Sequence, residues 1–299
     1  MSSNLVCVAV VISFASTSLG EAQQIDPSIL SGPYLGQEPP DLIPQVFAPG
    51  FVSTGAVEFG CTFSPDGEEF YFGRIFRNPS RKVILVSYRV DSVWTTPGIA
   101  PFSGAFDDEL PRIVPDGQLL FFTSNRPLPE MTDQTSPRLS FTVWVCRKEP
   151  DGWGEPSPLA PNLKGMITVS ATRNNVLYTK LRNGPARLFP ESPGWSSPEN
   201  FTIAKGVDAG NIYVSPEDDF LLFGCDLPGF GMGDLWVSFH GDGDGWSEPV
   251  NLGPDINTVN IDAAPNLSPG GDYLFYTSNG DIKWVSSAVI EQKRPRKPQ

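Results

Sequence analysis

Apolar and polar residues along this chain come in short bursts. Tracts such as EFYF, LLFF, VLY, FLLF and YLFY are bounded by turn residues. Apolar positions nowhere recur at the i, i+3, i+4 spacing that sustains a long amphipathic helix. The tracts are apolar at consecutive positions, so both faces of each predicted strand need cover.

The tracts belong to a repeat. Five segments align: EFGCTFSPDGEEFYFGR from Glu58, DELPRIVPDGQLLFFTSNR from Asp108, KGMITVSATRNNVLYTKLR from Lys164, AGNIYVSPEDDFLLFGCD from Ala209 and DAAPNLSPGGDYLFYTSNG from Asp262. Their turn positions, Ser64, Val114, Ser170, Ser215 and Ser268, lie 45 to 56 residues apart. That period suits a four-stranded propeller blade. In each copy a first strand meets Pro-Asp-Gly or a variant, residues that preset or tolerate a turn. The aromatic second strand and a third strand follow, and most copies end in a Trp-x-x-Pro edge segment such as GWSEPVNLG. Proline suits an edge strand, which can spare a ladder donor.

The fifth copy stops near Ile290 without its fourth strand. Asp41 to Gly50, DLIPQVFAPG, has the pattern of the other outer strands. Pairing it with the last blade would close the ring and remove an exposed edge. The expectation is an all-β, single five-bladed β-propeller over residues 38–290, with six blades as the alternative. Residues 23–37 read as an N-terminal extension and 291–299 as a basic disordered tail.

Composition adds compartment and excludes some partners. The apolar run from Leu5 to Ala15 is too short to span a bilayer and precedes small residues that suit signal peptidase. Residues 1–22 therefore read as a signal peptide, and the mature chain is expected to be secreted or periplasmic with no membrane span. A net charge of −13 and a pI near 4.5 argue against nucleic acid, which needs a basic surface. Cleavage would leave Cys61, Cys146 and Cys225, expected as buried free thiols. The 7 Trp recur with the repeat, so packing explains them better than sugar stacking.

In the Ser-Pro-Asp-Gly turn followed by an aromatic strand, and in GMGDLWVSF, DGWSEPVNLGPDIN and SPGGDYLFYTSNGDIKWV, the chain resembles the TolB-like, WD-repeat-like propeller family. The resemblance covers nearly all of the mature chain. Blade three departs, with SATRNN in place of the Pro-Asp-Gly turn. TolB-type propellers are similar to six-bladed rings, so a count of five is a further departure. The resemblance implies the fold. It implies no single activity, because such propellers serve as envelope scaffolds, ligand-binding modules or domains attached to enzymes.

Propeller geometry brings the first-strand starts and the second-to-third loops to one face. At the starts stand Glu58, Asp108 with Glu109, Lys164, Asp208 and Asp262; at the loops stand Arg74, Arg126, Arg182, Asp226 and Asn279. The ligand-binding candidates are Glu58, Arg74, Asp108, Glu109, Arg126, Asp208, Asp226 and Asp262, since carboxylates faced by arginines can bind a polar ligand. The same ring also serves as a structural ion-pair network, which is the preferred reading. The single His240, expected as a surface turn residue, removes most His-dependent chemistry. Asp242 and Asp244 lack the remaining ligands of a calcium loop. There is no GxSxG, HExxH, CxxC or Walker signature. No cofactor and no metal site are expected, with a funnel cation such as calcium left open. The leading expectation is a monomeric, non-catalytic binding or scaffold module for a protein, peptide or glycan, contacting it through RPLPEMTDQTSPRLS and DLPGFGMGD. The alternative is a glycoside hydrolase or lyase using Glu58, Asp108 and Asp262.

Overall fold

The computed structural model describes residues 30–128, 141–160, 168–241 and 245–295. The predicted signal peptide, Lys164, most of the blade-two loop, Asp242, Asp244 and the last four residues of the basic tail lie outside the described residues.

Five antiparallel sheets form, each one blade. Blade one runs Val57–Phe63, Glu69–Arg77 and Ser80–Val90, and blade two Asp108–Ile113, Leu119–Ser124 and Thr142–Glu149. In both, the outer strand is broken into two short pieces, Val93–Trp94 with Gly98–Ile99 and Gly152–Trp153 with Ser157–Pro158. Blades three and four each have four strands, from Val169–Ala171 to Glu199–Asn200 and from Gly210–Val214 to Val250–Asn251. Blade five contributes Asp262–Leu267, Tyr273–Ser278 and Asp281–Ser286. Its outer strand is Gln45–Val46, paired antiparallel with Trp284 and Lys283. The ring therefore closes with the N-terminal strand, as the repeat count requires, and five blades replace the alternative of six.

Second strands are apolar at consecutive positions because each is covered by two neighbours. Phe70 and Phe72 face the core shared with blade five, while Tyr71 faces the core shared with blade two. Leu120 and Phe122 likewise look toward blade one, and Leu119 and Phe121 toward blade three. The pleat's period of two sorts one tract into two cores. The edge-segment tryptophans serve the same joints. Trp153 donates to the Tyr71 hydroxyl at 2.8 Å, and the rings of Trp195 and Trp246 lie 6.0 and 6.1 Å from Phe121 and Tyr178 of the preceding blade. Cys61, Cys146 and Cys225 are free and buried, and burial pushes the thiols of Cys61 and Cys146 up to about 12.

Two details depart from the sequence reading. The blade-three turn is at Thr172, not Ser170: Thr172 bonds Val176 and Asn175 as Ser64 bonds Glu69 and Gly67. Arg173 thus stands where the other blades place Pro65, Pro115, Pro216 and Pro269. His240 is half-buried, its ring stacked on Trp246 at 4.6 Å with one nitrogen 2.8 Å from the Asp218 carbonyl, so it is a packed residue.

Candidate functional site

The first strands of blades one, two, four and five share a bulge that sets what lies at the axis. Register shifts follow Phe59, Glu109, Gly210 and Ala263, and the residue after each, Gly60, Leu110, Asn211 and Ala264, has positive φ. Left-handed backbone suits glycine and strains Leu or Ala, so tertiary packing holds the latter two there. A Cβ on Gly60 would lie 2.7 Å from Leu110 Cδ2 and 3.8 Å from the Ala264 methyl. The bulges of blades one, two and five thus meet near the axis.

On one side of them lie the strand starts. Glu58 and Asp108 side chains are wholly buried and paired with Arg74 and Arg126 at 2.9 and 2.8 Å. Each also ties down the link from the preceding blade. Glu58 accepts from the Thr54 amide and hydroxyl, Asp108 from the Ser103 hydroxyl and Gly104 amide, and Asp262 from the Thr258 amide and hydroxyl. Asp262 has no arginine partner among the described residues. Among the described residues its buried Oδ1 has no partner, nor has the hydroxyl of Ser278, directly opposite in the ladder. Blade four has Ala209 in this register, and Asp208 beside it is largely exposed and pairs with Lys180. Glu109 pairs with Lys82, Asp226 is exposed, and Arg182 is exposed on a hairpin turn. Arg74 sits inside a strand that runs on to Arg77 rather than in a loop. Asp281 enters this neighbourhood unforeseen: burial, then the nearby Glu58 charge, push its carboxyl above the usual range.

At the same face the blade-four loop packs on the next inter-blade link. The Met232 amide donates to the Asn260 carbonyl at 3.3 Å, Gly233 pairs with Ile261, and the Asp262 amide donates to the Gly233 carbonyl at 2.8 Å. A side chain at Gly231 would collide with the Thr258 and Asn260 carbonyls. Asp234 accepts the Phe230 and Gly231 amides and the Asn251 side chain. This leaves Phe230, Met232, Val259 and Ile261 exposed together.

The opposite end of the axis holds a cavity of about 80 Å³ to which all five blades contribute, lined in part by Thr62, Arg112, Ser170, Arg173, Tyr213 and Asn266. None of these was named as a candidate site residue from sequence, where Ser170 entered only as a turn position. Arg112 in an otherwise apolar inner strand, and Arg173 in place of a turn proline, were the available signals. Among the described residues no group of three or more His, Cys, Asp or Glu could hold a metal ion.

These features define a five-bladed β-propeller. No protein-family model matches the chain, and no curated protein matches it by sequence. Its structure is similar to that of TolB from Acinetobacter baumannii, with a TM-score of 0.51 at 14% identity over 79% of this chain and 53% of that one. The chain thus spans about half the length of that TolB. It is also similar to a gluconolactonase from Xanthomonas campestris, with a TM-score of 0.48 at 11% identity over 85% and 96% of the chains. For a catalytically inactive virginiamycin B lyase from Staphylococcus aureus the TM-score is 0.46 at 14% identity over 82% and 99%. The likeness shows a propeller fold of the kind seen in TolB, and leaves function to the site.

Proposed function

We propose that the chain is an exported, non-catalytic binding propeller that grips a protein partner through the strand-start face, at its blade-four corner. One observation carries this: Phe230, Met232, Val259 and Ile261 are 46%, 68%, 76% and 54% exposed on two loops locked to each other. A clustered apolar patch on a strongly acidic protein marks a contact surface, and its stiffness lowers the entropy lost on docking. Asp226 lies beside it, exposed and free of a partner among the described residues. The fitting partner presents apolar side chains with a basic group at the rim.

The glycosidase or lyase alternative needs two accessible carboxylates in different environments. Glu58 and Asp108 are buried and already engaged by guanidinium and link donors. Of the three, only Asp262 keeps a carboxylate oxygen without a partner among the described residues.

Met232→Asp and Ile261→Asp in the full chain test the reading. Cross-linking in the native envelope or secreted fraction should give wild type one discrete complex, absent from both variants while their circular dichroism is unchanged. Turnover of a glycan or lactone panel, abolished by Asp262→Asn with the fold intact, would overturn it in favour of catalysis. A complex that both variants retain would also overturn it.

A further inference from the structure

The axial cavity contains a guanidinium that pairs with no carboxylate among the described residues. Arg112 is 8% exposed. Its Nη1 donates to Asn266 Oδ1 and its Nη2 to the Pro265 carbonyl, both at 3.0 Å, so the side chain reaches past blade one to blade five. Its Cζ lies 5.4 Å from the Tyr213 ring centroid of blade four. Both acceptors are neutral amide oxygens. They use two of the five N–H donors of a guanidinium, and no carboxylate among the described residues pairs with it. Burial pulls its pKa down to about 10, which leaves it charged at neutral pH. The buried rim carboxylates Glu58 and Asp108 each have an arginine; Arg112 has no described acid in return.

A blade cross-link does not require this charge, because neutral donors hold the other inner strands together. Thr62 accepts the Ile113 amide, Ser170 accepts the Val214 amide, and Asn266 donates to the Cys61 carbonyl. An unpaired buried cation is costly, and an anion bound there would offset the cost. The cavity is large enough for several waters or one small oxyanion. Blade three supplies the second feature. Arg173, at the position of the turn proline in the other blades, lines the same cavity. It pairs with Glu217, and both side chains are more than half exposed, so water and salt weaken that pair.

We propose that this cavity binds a small oxyanion, inorganic phosphate or the carboxylate of a small organic acid, held by the Arg112 guanidinium and drawn in by Arg173. The site lies at the other end of the axis from the proposed protein contact and does not depend on it. A forked guanidinium matches the paired oxygens of either anion.

The test is calorimetric titration of the full chain with inorganic phosphate, and separately with acetate, at pH 7 and fixed ionic strength in chloride. Saturable binding of at least one is expected, and the two arms separate phosphate from carboxylate. Arg112→Gln should weaken it at least about tenfold, the equivalent of one lost charge-assisted hydrogen bond. Arg173→Ala should weaken it less and flatten its salt dependence. If Arg112→Gln does not fold, Arg112→Lys takes its place, since it keeps the charge and loses the fork. Heat that fails to saturate with either anion would overturn the proposal. So would wild-type affinity in the Arg112 variant.

Discussion

Truncating Arg126 to Met tests whether the strand-start carboxylates are structural. The Asp108 side chain is 0% exposed and Arg126 10%. Asp108 Oδ1 accepts from Arg126 at 2.8 Å, and Oδ2 accepts from Ser103 and Gly104 at 2.8 and 3.3 Å. The guanidinium also sits 4.8 and 5.2 Å from the Phe122 and Trp144 rings. Methionine keeps the apolar stem against those rings, so the change chiefly removes the charge. Leaving one member of a buried pair alone costs about 3–5 kcal/mol. Ser103 and Gly104 still donate to the carboxylate, which places the expected loss at about 3 kcal/mol, the low end of that range. Urea unfolding should show it as a lower midpoint with an unchanged slope. Adding Asp108→Asn removes the stranded charge, so the double variant should be more stable than the sum of the two single losses implies. A loss below about 1 kcal/mol for Arg126→Met, the worth of an exposed pair, would refute the structural reading. Strict additivity of the two substitutions would refute it too.

Phe47→Ala should cost about 3–5 kcal/mol, because a buried aromatic leaves both transfer energy and a cavity behind. Phe47 follows the closing strand, is 0% exposed, and packs on Phe63, Phe70, Phe275 and Trp284 at 5.0 to 6.2 Å. Denaturant midpoints measure the loss, and a cost below about 1 kcal/mol would mean that closure contributes little. Asp281→Asn should raise the melting temperature at pH 7. Burial and Glu58 raise the Asp281 carboxyl in the folded state, so its charged form penalises folding above the folded pKa. That penalty disappears as pH falls below the unfolded value. The gain should vanish in melts at acidic pH, and a gain that persists there would contradict the assignment.

The candidate site was partly legible in sequence. Glu58 with Arg74 and Asp108 with Arg126 could be brought together from repeat register alone, because equivalent positions in a propeller share a face. Register did not show that Arg126 lies two residues past Ser124, the ladder partner of Asp108, or that Asp262 has no arginine among the described residues. Nor did it show that Asp208 sits one residue off the position held by Ala209. Each depends on a bulge or loop length that differs from blade to blade. The apolar corner was half visible: DLPGFGMGD could be placed on that face, but Val259 and Ile261 join it only through contacts between separate loops.

What the sequence by itself determined is the blade. Turn chemistry, consecutive apolar positions in the second strands and the Trp-x-x-Pro edges are local, recurring signals. Their count, with one outer strand missing and one to spare, specified the closure through Gln45–Val46. What only the tertiary structure decided is the axis. Leu110 and Ala264 adopt left-handed backbone that their own side chains disfavour, and they do so where first strands from different blades converge. That convergence puts the rim carboxylates at one end of the axis and leaves the cavity around Arg112 at the other. Such a cavity belongs to no single blade, so no repeat records it.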